Sequence, residues 1–439
     1  MKKFLIISLL LCVMGVASAQ TAREEIDTHP HIAMATHSVY ASPYYFEEVA
    51  KAPKGFKPFY ISHYGRHGSR YESRQKIVDD FVNIMRKADS LGILTPKGQE
   101  VKAIAEKSYQ AHEGRIGELT RVGVEQHKGI ARRMYHRFKP VFAKGAIIES
   151  HSSTKRRCMM SMASFNESLK ECEPMLMTRM DTGDCYQAVI RPTSYYNPTF
   201  PKDVSEDTPC NNLPWFASLT AWGAKQDMSH ALNMLFTDVK ALNYEKGEFV
   251  LALNIYKRLA FGQNLGWYDR TLIDSIFTPE ERYHLYLYDN YNWYNTRVGT
   301  QTDFQRSVLS HIRPLVEDII TYADLAVEGK NSASANLRFG HDYYLLALLG
   351  GISFNEMRSD LDISDIEKFG EVWRGYRYIT MASNLQMVMY RSNKSDEVIV
   401  RFLHNENDVT LPIESDMAPF YKWSDVRAYL LGRLEYLSK

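Results

Sequence analysis

The sequence is poor in several features that would narrow its class at once. Five cysteines in 439 residues are too few for a disulfide-built scaffold, and a chain this long with 45% apolar residues can bury its own core without staples. Charge of neither sign is in excess: 53 Lys and Arg face 52 Asp and Glu. That balance excludes a global basic field that would draw the protein to nucleic acid. An anionic ligand must instead be held by a local cluster of positive groups. Internal repeats and low-complexity blocks are absent. No apolar run after residue 19 approaches the length that spans a bilayer. No Cys or His spacing of the metal-binding kind is present either; His29-Pro30-His31 has no third ligand nearby and reads as a surface segment. Neither a metal nor another cofactor is therefore expected.

What is present begins at the N-terminus. Lys2 and Lys3, the apolar stretch Phe4 to Val16 and the small residues Ala17-Ser18-Ala19 form the three parts of a secretory signal. Residues 1–19 are expected to be removed, which takes the net charge from +1 to +1 − 2 = −1. The mature chain is expected to be exported, to a periplasm, a cell surface or the medium. Cys158, Cys172, Cys185 and Cys210 then remain in a compartment that permits disulfides. Two bridges among them allow three pairings, and one bridge or none is an equal option.

The patterning points to an α/β protein with a mostly parallel sheet flanked by helices. Residues 20–58 are rich in Pro and His and read as a surface wrap. Lys57 to His63 reads as a buried strand ending in a sharp turn at Gly65 and Gly68. Gln75–Ser90 follows as a helix with one apolar face, then a helix from Pro96 towards His112 and a third from about Thr120 to Phe138. Ala146–Ser150 is a second strand that feeds a helix near Lys155. Strand–helix alternation of this kind builds parallel sheets, whose ligands sit beyond the carboxyl ends of the strands. From about 182 to 300 the texture becomes aromatic and helical. Residues 302–328 read as one long helix bent at Pro314. Ala335–Gly340 reads as a strand, Leu385–Tyr390 and Val398–Leu403 as a strand pair, and Ser424–Leu437 as a closing helix. The expected organisation is a signal over 1–19, an α/β catalytic domain from 20–181 and 301–439, and an inserted helical lobe over 182–300.

The sharpest local signal is Arg66-His67-Gly68-Ser69-Arg70. At ordinary composition such a pattern arises by chance on the order of once in several hundred chains, and here it follows a strand. A histidine between two arginines is disfavoured as imidazolium, because like charges depress its pKa. Neutral imidazole is a nucleophile, and two guanidinium forks can hold phosphate oxygens bidentately.

Four segments in order resemble the histidine acid phosphatases, a clade that includes phytases and multiple inositol polyphosphate phosphatases. Ser62-His63-Tyr64-Gly65-Arg66-His67-Gly68-Ser69-Arg70 is similar to the first motif of that family. Leu119-Thr120-x-x-Gly123-x-x-Gln126 resembles its helix start, Arg157-Cys158-x-x-Ser161 the segment that supplies a third arginine, and Asn336 to Asp342 its C-terminal motif. The resemblance implies roles. His67 would be the nucleophile, Arg66, Arg70 and Arg157 the phosphate grip, His341 a second histidine on the transferring group, and Asp342 the acid for the leaving oxygen. Arg74 and Arg156 are candidates for further phosphate contacts. Where the family often has proline, two residues after the second motif arginine, this chain has Glu72; that departure touches the local turn and leaves the catalytic side chains alone. His341-Asp342 is closer to the phytase pattern than to the His-Ala-Glu common in the inositol polyphosphate branch.

The expected activity is a phosphomonoesterase acting on inositol polyphosphates such as phytate, through a phosphohistidine. The alternative is a broad acid phosphatase or phosphosugar phosphatase of the same fold. Its partner is a small anionic phosphorylated substrate, and the oligomeric state stays open.

Overall fold

A computed structural model describes residues 20–40, 49–191 and 213–439. The signal-like segment 1–19 and Cys210 lie outside the described residues. The other three cysteines, Cys158, Cys172 and Cys185, carry no disulfide.

One mixed sheet organises the molecule. Its strands are β1 (Phe56–Arg66), β2 (Ile147–Ser152), β3 (Met177–Asp181), β4 (Ala333–Gly340), β5 (Asn384–Ser392), β6 (Ser395–His404), β7 (Asn407–Val409) and β8 (Tyr421–Lys422). The order is β3-β2-β4-β1-β5-β6-β7, with β8 paired to β6. β3, β2, β4 and β1 are parallel, and β5 to β8 extend the sheet antiparallel from β1. Between β3 and β4 the described residues form helices and no strand.

β1 shows how the sequence positions this sheet. Its side chains alternate between faces. Tyr60 and Tyr64 join the larger core, which runs through the helical region, while Ile61 joins a second core against the helices Arg121–Arg137 and Arg156–Cys172. A central strand covered on both faces must be apolar on both, and β1 is buried from Tyr60 onward. The helix Gln75–Ser90 buries Val78, Phe81, Val82, Met85 and Ala88, one stripe at helical spacing. Thr95 and Thr120 cap the next two helices, Pro96–His112 and Arg121–Arg137, each accepting from a glycine N–H in the first turn.

Three expectations are corrected. Residues 302–328 are two helices, Asp303–Ser310 and Arg313–Val327, rather than one bent helix. Pro314 sits in the first turn of the second helix, where its missing N–H has no partner to lose, so the proline starts a helix instead of kinking one. Residues 20–40 do not merely wrap the surface: Ala22, Ile26, Ile32 and Met34 are in the main core. The polar character of this segment hides that role. Its one deeply buried acid, Glu25, is neutralised by Arg374 and Arg377 from a distant part of the chain. The third correction concerns Glu72 and belongs to the site.

Candidate active site

Parallel strands deliver the site. At the carboxyl end of the sheet Arg66 pairs in register with Gly340, and Ser152 pairs with Phe339. The chain segments that leave β1, β2 and β4 therefore emerge side by side, carrying Arg66 to Arg70, Ser153 to Arg157, and His341-Asp342. This is where a parallel sheet offers a crevice.

The turn after β1 is pinned at nearly every residue. Arg66 N–H donates to Ser383 O at 2.8 Å, His67 N–H to Gly340 O at 3.0 Å, and Ala382 N–H to His67 O at 3.0 Å. Ser69 N–H donates to Gln126 Oε1 at 2.8 Å, and Thr120 N–H to Ser69 O at 2.9 Å. Gly68 and Gly123 let the turn lie against the start of the helix Arg121–Arg137. A Cβ on Gly68 would meet Gly123 O at 2.7 Å, and one on Gly123 would meet Ser69 O at 2.3 Å. Neither contact leaves room for a methyl group. Thr120, Gly123 and Gln126 of the second motif thus act as the socket for the first.

Within this frame His67 Nδ1 lies 2.9 Å from Gly68 O. A carbonyl only accepts, so Nδ1 carries the proton and the Nε2 lone pair is left free for chemistry. Burial is the largest influence holding His67 well below the ordinary imidazole range, and Arg157, Arg66 and Arg70 add to it. The ring is neutral and nucleophilic. His341 stands edge-on to it, with centroids 5.7 Å apart. Arg157 Nη2, which can only donate, is 3.4 Å from His341 Nδ1, so the proton sits on Nε2 and faces Ser153 Oγ at 3.0 Å. Burial, then Arg157, also keeps His341 well below its ordinary range. Tyr343 stacks on His341 at 10°, and Cys158 Sγ donates to Gly340 O at 3.3 Å.

Three guanidinium groups converge on the same place. Arg66 is fully buried; its Nη2 donates to Asp342 Oδ2 at 2.6 Å, while Nε and Nη1 have no hydrogen-bond partner. Arg70 Nε and Arg157 Nε are buried and unpartnered as well. Burial pushes Arg66 and Arg70 down to about 10, which leaves both charged at neutral pH. Unsatisfied buried donors on charged groups are costly. A phosphate oxyanion is the ligand that such a set satisfies. Asp342 also accepts from Tyr343 N–H at 2.9 Å and opens the helix Asp342–Ile352.

The rim is different. Arg156 is exposed and paired with Glu118 at 2.9 Å, so it does not join Arg66, Arg70 and Arg157. Arg74 is exposed and lines a cleft of about 720 Å³ that continues from Arg70 past Lys76, Lys87, Lys246 and Lys257.

Sequence reasoning missed two members of the site. Glu72 does not spare the catalytic side chains: it is buried, lies 3.5 Å from Arg70 Nη1, and also pairs with Arg258 of the helix Glu248–Phe261. A buried glutamate next to a site arginine needs a cation, and the partner is 186 residues away by the numbering of Glu72 and Arg258. The available signal was Lys257-Arg258 inside an otherwise apolar helix. Ser153, the partner of His341, gave none. Among the described residues no three His, Cys, Asp or Glu side chains converge as a metal ion would require.

The profile of the histidine phosphatase superfamily, branch 2, matches residues 65–405. The chain belongs to that superfamily. With the membership comes the enzyme class, a histidine acid phosphatase. No curated protein sequence matches the chain. Among solved structures, a multiple inositol polyphosphate phosphatase of Bifidobacterium longum in complex with inositol hexasulfate is 19% identical with a TM-score of 0.71, over 91% of this chain and 97% of that one. The phytase from D. castellii is 14% identical with a TM-score of 0.69, over 97% and 91%. The phytase from Citrobacter braakii is 12% identical with a TM-score of 0.51, over 86% and 98%. At these identities the likeness is one of fold.

Proposed function

We propose that this histidine acid phosphatase is an exported phosphomonoesterase that removes phosphates from inositol polyphosphates such as phytate through a phosphohistidine. The observation that carries the proposal is the freed Nε2 of His67 among three guanidinium groups, Arg66, Arg70 and Arg157, each with a buried, unpartnered N–H donor. The substrate class is supported by the basic cleft beyond Arg70 and by solved structures of the same fold that are named for inositol polyphosphates and phytate. Export is supported by the three-part segment over residues 1–19.

In this reading His67 Nε2 attacks phosphorus in line and the ester P–O bond breaks. The leaving alkoxide takes a proton from the Asp342 carboxyl. Arg66, Arg70 and Arg157 hold the equatorial oxygens, where charge accumulates in the transition state. Water then attacks the phosphohistidine and passes its proton to the Asp342 carboxylate, which releases orthophosphate and neutral His67. His341, donating from Nε2 to Ser153, keeps its ring set beside the transferring group. Guanidinium groups supply the positive charge, so a chelator is expected to leave the rate unchanged.

The test is phosphate release from inositol hexakisphosphate by the chain lacking residues 1–19, with chelator, beside glucose 1-phosphate and a His67→Ala control. Fastest release from the inositol substrate with an inert control supports the proposal. Release from the simple monoester alone keeps the chemistry and removes the substrate claim.

A further inference from the structure

Glu72 stands where two regions of the chain meet. It follows the His67 turn by five residues, and its backbone O accepts from Gly117 N–H at 2.7 Å. Its carboxylate is only 3% exposed and faces two guanidinium groups, Arg70 and Arg258, which are themselves 9% and 12% exposed. The ring of Phe261, one turn beyond Arg258, lies under both cations, 5.9 Å from Arg70 and 5.5 Å from Arg258. The result is a buried Arg–Glu–Arg triad on an aromatic floor.

The triad determines how Arg70 can meet a ligand. Its Nη1 is occupied on the protein side: it donates to Tyr71 O at 3.0 Å and faces Glu72. The Nε side remains unpartnered. A guanidinium grips an oxyanion with two parallel N–H bonds along one edge, so with Nη1 held, the edge containing Nε is the one left for a ligand. Arg258 completes the arrangement. Burial and the charge of Arg70 push Arg258 down to about 9, and without the carboxylate two buried cations would face each other unscreened.

We infer that Glu72 is a positioning residue for the phosphomonoesterase reaction: paired to Arg258, it fixes the edge of Arg70 that grips the phosphoryl group. The inference rests on the proposed phosphatase reading, and through it the helix Glu248–Phe261 takes part in setting the geometry of the phosphate site. Two simpler roles make opposite predictions. A charge-damping glutamate would weaken phosphate binding, so its removal would tighten it. A glutamate of purely structural importance would alter the melting temperature and leave phosphate affinity untouched in the folded protein.

The experiment uses the full chain without residues 1–19 as wild type, Glu72→Gln, Glu72→Asp, Arg258→Met and the Glu72→Gln/Arg258→Met double variant. Calorimetry gives the Kd for inorganic phosphate, and p-nitrophenyl phosphate gives kcat and KM. Glu72→Gln is expected to raise the phosphate Kd and lower kcat/KM by about 10- to 100-fold, the scale of a misplaced grip. Glu72→Asp should recover part of that loss. The double variant should lose no more than the worse single one, because both act through Arg70. Phosphate binding as tight as wild type or tighter in Glu72→Gln overturns the inference, as do losses that multiply in the double variant. Should Glu72→Gln not fold, Glu72→Asp decides: a wild-type phosphate Kd there overturns it. A wild type that binds phosphate but does not turn over p-nitrophenyl phosphate sinks the phosphatase reading separately, and the calorimetry still reports on Glu72.

Discussion

The floor of the site and its rim are built in contrasting ways. On the floor, backbone hydrogen bonds and glycine contacts place the turn 66–70 against Gly340, Ala382, Ser383 and the start of a helix. Arg66 and Arg70 are buried there, and Asp342 is held by Arg66. On the rim, Arg74 and Arg156 are exposed, and Arg156 is engaged with Glu118. Chemistry that tolerates little misplacement sits where the backbone itself is immobilised. The contacts proposed to choose among substrates, Arg74 and Arg156, sit on long solvated side chains. Glu72 and Arg258 cross between the two zones.

Substitutions on the two sides should break or sharpen that contrast. The largest effect is expected from His67→Ala, which should lower kcat by at least about 10⁴-fold for every monoester, since in the proposed mechanism it removes the nucleophile and with it the whole covalent route. Steady-state rates on inositol hexakisphosphate and p-nitrophenyl phosphate check it. Asp342→Asn should cost about 10²- to 10⁴-fold with an alkoxide leaving group and much less with p-nitrophenolate, which leaves without a proton. Equal losses on both substrates in kcat/KM, which reports the step before the shared hydrolysis, would remove Asp342 from the donor role.

The floor should also fail first in acid. His63 and His127 both pack against Phe165 and Phe339, and burial pushes both down to about 3. Their folded values are below the unfolded value near 6.5, so the unfolded chain binds protons first as pH falls. Their contribution is complete above pH 6.5 and is lost progressively towards pH 3, on the order of 1 kcal/mol per pH unit for each histidine. Denaturant melts at pH 7, 6 and 5 should show the decline, and His127→Phe should flatten it. Gly123→Ala is expected to cost about 1–3 kcal/mol through the clash with Ser69 O, with a parallel loss of activity because the turn must move. At the rim the effects should be smallest. Arg74→Ala should raise KM for inositol hexakisphosphate by about 3- to 10-fold with kcat unchanged, and Arg156→Ala by less than about 3-fold, as exposed ion pairs contribute little. A change in kcat from either would mean that rim and floor are not separate.

Much of this was legible in advance because it rests on local rules. The helices Gln75–Ser90 and Pro96–His112 lie where an apolar stripe followed by Gly92 and a proline at the first helical position indicate. The strand into Arg66-His67 is visible from its apolar run and following glycines. What stayed hidden was long-range. Pro314 reads equally as a kink or a start until the preceding turn is seen to end at Ser310. The apolar positions of residues 20–40 are too irregular to show a face, yet they fill the core. Glu72 looks like a loop residue, because its two cations become neighbours only when a helix folds over the sheet.

By itself the sequence carried the residues of the proposed chemistry: a histidine between arginines, a second histidine beside an acid, and strands that end where these residues occur. Residue type and local periodicity suffice for that, since each follows from short-range physics. The tertiary structure alone decided which nitrogen of His67 is free, which arginines are buried together, and that Arg258 reaches Glu72. Those depend on burial and on partners distant in the chain, and only the folded packing brings them within hydrogen-bonding range.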